Sequence, residues 1–213
     1  TRLLHDPIHR YPLSQLTREV MVGFRDRRLQ DGPIACRHDL AILQHCLNVA
    51  INEWSLPLKH NPVEGLRKPP PSRPRSRRLF PGEYDQLQQA TYHMRCPYLW
   101  PVIELALETA MRKGELLSVL WKHVYLDKRM LYLPDTKNGE DRWVPLTPKA
   151  QDVFLQLPRV SASVFTVSST ALRLSWDRLV RRTQIQGLRF HDLRHEATSR
   201  MVENGMSVFQ VSL

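Results

Sequence analysis

Four cationic side chains, far apart along the chain, stand out for the chemistry they could do together. Arg112 follows an apolar stretch in Thr109-Ala110-Met111-Arg112-Lys113-Gly114-Glu115, Lys137 sits at a hairpin mouth in Asp135-Thr136-Lys137-Asn138-Gly139, and His191-Asp192-Leu193-Arg194 opens a late helix. A helix sets His191 and Arg194 on one face, since they are three apart. Singly, each has an ordinary reading: an Arg at a helix end as a cap or solvated charge, a Lys beside a turn as protection of a sheet edge. Two guanidiniums, an ammonium and an imidazole without a metal cluster fit phosphoryl transfer at a diester. Forks from Arg112 and Arg194 match the two non-bridging oxygens and stabilise the extra charge of a five-coordinate transition state. Lys137 and His191 would manage the protons, since a leaving 5′ oxygen needs a general acid and an attacking hydroxyl a general base.

Holding such groups together requires a core, and the composition supplies one. Of 213 residues, 42% are apolar and 24% charged, which sustains one large domain or two modest ones and excludes disordered and fibrous classes. Lys and Arg number 31 against 21 Asp and Glu, a formal charge of +10 that favours a polyanionic partner, nucleic acid before an anionic membrane. No run approaches the roughly 18 apolar residues of a membrane span, and the N-terminus has no apolar signal core. A soluble, cytoplasmic, nucleoid-associated protein with no membrane partner is expected. Cys36, Cys46 and Cys96 form no C-x-x-C pair, so neither a disulfide framework nor a zinc knuckle is expected. His191 and His195 are spaced to chelate, but Arg194 puts a cation near the same face and no third ligand is evident. No metal or other cofactor is expected, and His195 reads as structural, packing or hydrogen-bonding inside its domain rather than as a second proton carrier.

Periodicity predicts a helix from Ser14 to about Arg28, with Leu16, Val20 and Phe24 on one face, and a second from about Arg37 to Trp54. Further helices are expected over Tyr84 to Met94, Tyr98 to Thr109 and Glu115 to His123. Val124 to Leu126, Arg129 to Leu133 and Arg142 to Leu146 read as a three-stranded antiparallel meander, with Asp127-Lys128 and Lys137-Asn138-Gly139-Glu140 as its turns. Thr147-Pro148 starts a helix, Ser168 or Ser169 another through Arg182, and His191 to Glu203 a last one ended by Asn204-Gly205. Trp54, Trp100, Trp121 and Trp176 lie on apolar faces and read as core. Arg173, Arg178, Arg181 and Arg182 give their helix a basic side, either solvated or facing a DNA groove. The fold class is mainly α with a small antiparallel sheet.

Between the two halves the composition changes. Residues 64–78 carry six cations, Arg67, Lys68, Arg73, Arg75, Arg77 and Arg78, with four prolines and one acid. No core can form from that. It reads as a proline-stiffened linker, and with the chain-wide positive charge as a basic strap along phosphates. Six phosphate contacts would add roughly −5 to the log–log salt slope of binding. The expected division is a helical module at 1–63, this linker at 64–78 and a catalytic domain at 79–213.

Together these boxes resemble those of the tyrosine recombinases, or phage integrases. The family's Thr-Gly-x-Arg-x-x-Glu box is similar to Thr109 to Glu115. Its hairpin lysine before a Val-Pro-Leu strand is similar to Lys137 with Val144-Pro145-Leu146, and its His-x-Leu-Arg-His box to His191 through His195. Glu53-Trp54 to Asn61-Pro62, followed by a basic linker, resembles the end of the family's core-binding domain, so the likeness covers nearly all of the chain. It implies that Arg112 and Arg194 bind the scissile phosphate, Lys137 is the general acid for the 5′ oxygen, His191 assists proton transfer and Glu115 supports Arg112. It also implies a two-domain clamp on double-stranded DNA, a 3′-phosphotyrosyl intermediate, no cofactor, and a tetramer on DNA for the intact protein, with the fragment monomeric in isolation.

Two departures accompany the likeness. Ala110 stands at the family's commoner glycine, which asks for a negative φ there. The family's nucleophile lies tens of residues beyond the His-x-x-Arg box, after a Leu-Gly-His segment, whereas Tyr11, Tyr84, Tyr92, Tyr98, Tyr125 and Tyr132 all precede Arg194. No tyrosine is assigned as nucleophile. A longer protein is expected, with this stretch unable to cleave. A non-catalytic DNA-binding module of the same fold and a type IB topoisomerase relative are the competing readings.

Overall fold

Thr17 accepts a hydrogen bond from the Val20 amide and so fixes where the first long helix begins. In the computed structural model, residues 2–134 and 141–207 are described, and the chain divides into two compact units at Pro74/Arg75.

In the first unit, α1 (Arg18–Leu29) packs on α2 (Pro33–Asn52), preceded by three short 3-10 turns. Met21 and Phe24 of α1 meet Cys36, Leu40 and Leu47 of α2, and Ile8, Val63 and Leu66 close the core. The predicted start at Ser14 moves to Arg18 because Thr17 takes the cap, leaving Leu13–Gln15 as a 3-10 turn. The second helix starts earlier than predicted, at Pro33, whose missing N–H costs nothing in the first turn. It also stops at Asn52, so Trp54 falls past its end and is 67% exposed rather than core.

The early part of the predicted linker belongs to this unit. Leu66 and Pro69 are buried, Arg18 donates to the Gly65 carbonyl at 2.8 Å, and Arg37 donates to the Pro69 carbonyl at 2.9 Å. Residues 75–78 belong instead to the second unit.

The second unit is organised around α4 (Leu99–Thr109), whose residues from Val102 to Leu107 are all buried. It packs against α3 (Glu83–Thr91), α6 (Pro148–Gln156), α7 (Ser169–Thr183) and α8 (Asp192–Glu203). A buried acid inside this helix, Glu104, is matched by the Tyr84 hydroxyl at 2.8 Å and the Lys149 ammonium at 2.5 Å. Thr147 caps α6 through its hydroxyl as its position predicts, and of the two serines that could open α7 it is Ser168 whose hydroxyl caps it.

The predicted meander forms as β1 (Val124–Tyr125), β2 (Met130–Leu133) and β3 (Arg142–Pro145), antiparallel in the order β1-β2-β3. Leu131, Leu133 and Val144 face the core, and the opposite face carries Trp143 against Tyr125 and Tyr132. The turn signal at Lys137 to Glu140 lies outside the described residues.

One predicted helix is corrected. Glu115 to His123 is not continuous: α5 spans only Lys113–Leu117, and a 3-10 turn occupies Trp121–His123. Between them the backbone pairs elsewhere, with the Val164 amide donating to Val119 at 2.9 Å and the Trp121 amide to Ala162 at 3.0 Å. Those bonds satisfy groups that a helix would have used internally.

Candidate functional site

The arginine box is carried by the turn between α4 and α5. Ala110 ends α4 in the left-handed region, φ 53° and ψ 21°, with its amide donating to Ala106. The negative φ expected of an alanine here is therefore corrected: a helix ending in a left-handed residue must place one at this point, whether or not it is glycine. Arg112 then turns extended and precedes α5.

Glu115 reaches back across that turn. Its carboxylate accepts the Arg112 amide and the Arg112 guanidinium, both at 2.8 Å, and the Arg142 guanidinium at 2.8 Å. Burial by itself raises the Glu115 carboxyl. The two Arg112 hydrogen bonds and the charges of Arg142 and Arg112 outweigh it and hold the group below the usual glutamate value.

Arg194 comes to the same place from α8. Its guanidinium donates to the Ala110 carbonyl, two residues from Arg112. Burial lowers its pKa most, and the positive charges of Arg112 and Arg142 lower it further against the opposing pull of Glu115. Two guanidiniums thus share one carboxylate while a third, Arg194, is seated on a backbone carbonyl close by, an arrangement with surplus positive charge that an anion would relieve. Arg142 and Arg194 also line one cavity of about 710 Å³, whose apolar lining includes Leu107, Val144 and Met201.

His191 stands at the N-terminal end of α8, its ring edge-on to His195 with centroids 5.1 Å apart. Loss of solvent around the ring, then His195 and Arg194, push its pKa below the ordinary histidine value, which favours the neutral, proton-accepting form. His195 is exposed, so the expectation that it packs inside the domain is corrected: four residues on from His191, it falls on the same open face. Lys137 lies outside the described residues.

The strap cations separate into two groups. Arg75 pairs with Asp192, Arg77 with Glu83, and Arg78 with Glu196 and Glu203. Lys68 donates to the Gln44 side chain. Arg67 and Arg73 are exposed and, among the described residues, make no hydrogen bond or ion pair. The expectation that all six are equally free for phosphate does not match these partners.

Comparison with known proteins adds a family match. Residues 78–212 match the model of the phage integrase family. The chain belongs to this family, the tyrosine recombinases. It is 36% identical to the shufflon-specific DNA recombinase of Escherichia coli, a match covering 96% of this chain and 57% of that protein. A putative integrase/recombinase of Haemophilus influenzae is 29% identical over 94% of the chain and 68% of its own length. Among solved structures, a lambda integrase (75–356) dimer bound to a COC′ core site superposes with a TM-score of 0.77 at 20% identity, covering 94% of this chain and 78% of that one. The Tn1549 transposon integrase in complex with circular intermediate DNA gives 0.76 at 15% identity, covering 99% and 80%. At these identities the structures establish the fold. The chain spans somewhat more than half of the E. coli relative.

Within the family frame, Arg142 is the site residue that the sequence reading passed over. It sits two residues from Val144 on β3 and so shares the inward face, opposite Leu133 in the register. A signal was available: a guanidinium at an inward strand position needs a carboxylate, and Glu115 is the acid that the arginine box supplies.

Proposed function

We propose that the intact protein is a site-specific DNA recombinase that breaks and rejoins duplex DNA through a 3′-phosphotyrosyl intermediate, and that residues 79–213 carry its phosphate site. The observation that carries this reading is the Glu115 carboxylate shared by Arg112 and Arg142, with Arg194 seated on the same turn and the charges of Arg194 and Arg112 felt at His191. Arg112 and Arg194 hold the non-bridging oxygens of the scissile phosphate. Arg142 fixes Glu115, and through it Arg112. Lys137 serves as general acid for the 5′ oxygen and neutral His191 as proton acceptor.

Residues 1–63 grip the duplex, aided by Arg67 and Arg73, while Arg178 and Arg182, exposed on α7, add to the basic surface. The intact protein, bacterial or phage-encoded, acts as a tetramer on DNA in the cytoplasm, associated with the nucleoid. Residues 1–213 alone bind DNA as a monomer without cleaving it, because no tyrosine follows Arg194. The proposal needs no metal, since the phosphotyrosyl ester conserves the energy of the broken bond.

The test uses a nicked suicide substrate of the protein's own recombination site. The full-length protein is expected to form a covalent adduct that R194A abolishes, while residues 1–213 bind the same duplex and form none. An adduct from residues 1–213 would overturn the assignment of the nucleophile. Undiminished adduct from full-length R194A would overturn the phosphate site.

A further inference from the structure

The composition of residues 75–78 suits a DNA strap, yet two of their arginines are turned toward α8. Arg75 grips Asp192 with a two-pronged contact, Nε to Oδ1 at 3.1 Å and Nη2 to Oδ2 at 2.8 Å, and Nη2 also donates to the Gly187 carbonyl at 2.5 Å. Asp192 is 1% exposed and accepts the Arg189 amide as well. One turn further along α8, Glu196 accepts Arg78 Nε at 3.0 Å, the Leu79 amide at 3.1 Å and Arg200 Nε at 2.7 Å. Arg78 continues to Glu203 near the end of the helix.

Asp192 and Glu196 are four residues apart and therefore on one stripe of α8. Fastening a helix at two levels of one stripe sets its rotation about its own axis as well as its place. That rotation decides where His191 and Arg194 point. Burying either acid without a counter-charge would be costly, so Arg75 and Arg78 are bound up with the helix rather than held free for a ligand.

We propose that Arg75 and Arg78 are positioning residues for α8, holding Asp192 and Glu196 so that His191 and Arg194 face the phosphate site. This rests on the reading of Arg194 as a phosphate ligand. It also removes two of the six strap cations from the expected DNA contacts.

The experiment follows the Nε–Hε resonance of Arg194 during titration of the chain with inorganic phosphate, alongside the salt dependence of binding to a mixed-sequence duplex. R75A and D192N are each expected to weaken the phosphate response of Arg194 about tenfold, and the double variant to be no worse than either, as coupled partners behave. R75K, which keeps the charge but loses the fork, is expected to recover only part of the response. The log–log salt slope of R75A should stay that of the unaltered chain, whereas loss of a phosphate contact would reduce its magnitude by about 0.9. An unchanged Arg194 response, multiplying effects in the double variant, or a reduced slope would each overturn the proposal. Should R75A fail to fold, D192N differs by one isosteric group and is read alone, with an unchanged response again the overturning result. Absence of any phosphate response in the unaltered chain sinks the phosphate site itself, and is thereby told apart from a failure confined to Arg75.

Discussion

Glu115 sets a negative charge among the guanidiniums of Arg112, Arg142 and Arg194, and its hydrogen-bond partners specify how it should respond to substitution. E115Q keeps the shape and removes the charge, leaving Arg112 and Arg142 without their shared counter-ion. Unfolding free energy at neutral pH is expected to fall by about 2–3 kcal/mol. Because the folded-state carboxyl titrates below its ordinary value of 4.5, its contribution is complete above that value and is lost as the pH falls through the lower folded one. Urea unfolding should therefore show the gap between wild type and E115Q closing in acid. A gap independent of pH would remove the ion-pair account. His191 offers a second titration. Its NMR midpoint is expected below 6.5 and should rise in R194M, which deletes a neighbouring cation, while burial continues to hold it down. A midpoint at or above 6.5 in the unaltered chain would contradict that environment. As members of the candidate site, Arg112, His191 and Arg194 stand out in the sequence because each sits in a short motif. Arg142 does not, because its role depends on strand register and on a carboxylate 27 residues away.

At the level of elements, the turn between α4 and α5 combines a buried alanine with a left-handed backbone. An L-residue there costs roughly 1–2 kcal/mol, and glycine returns roughly half of that to the entropy of the unfolded chain. A110G is thus expected to raise the unfolding free energy by about 0.5–1 kcal/mol and the melting temperature by a few degrees, measured by circular dichroism. A lower melting temperature would mean that the alanine methyl contributes more to packing than its backbone strain removes. Caps and turns explain which elements could be read in advance. Thr147 and Ser168 announce α6 and α7 because a hydroxyl before a helix is a local signal. The shortness of α5 was hidden, because the groups that end it pair with residues 162–164, more than 40 positions downstream. Trp54 misled for a related reason: its spacing suits the helix, but the helix ends two residues earlier.

Across the whole molecule, charge was legible as a total and illegible as a distribution. The excess of +10 pointed to a polyanion, but composition cannot tell a cation held by a carboxylate from one available to a ligand. The partners of Arg75 and Arg78 lie 117 and 118 residues away. Removing Arg67 and Arg73 together is expected to lower the magnitude of the log–log salt slope of duplex binding by about 2, since both are exposed without a partner among the described residues. Filter binding over a range of potassium chloride would check it, and an unchanged slope would assign both to plain surface. The Ala110 carbonyl has a consequence for exchanging parts between relatives. It belongs to the segment that presents Arg112, yet it seats the guanidinium of Arg194 from a helix more than 80 positions later. A chimera that imports α8 alone would meet a foreign acceptor, so residues 109–115 and 191–196 should be transplanted as one cassette.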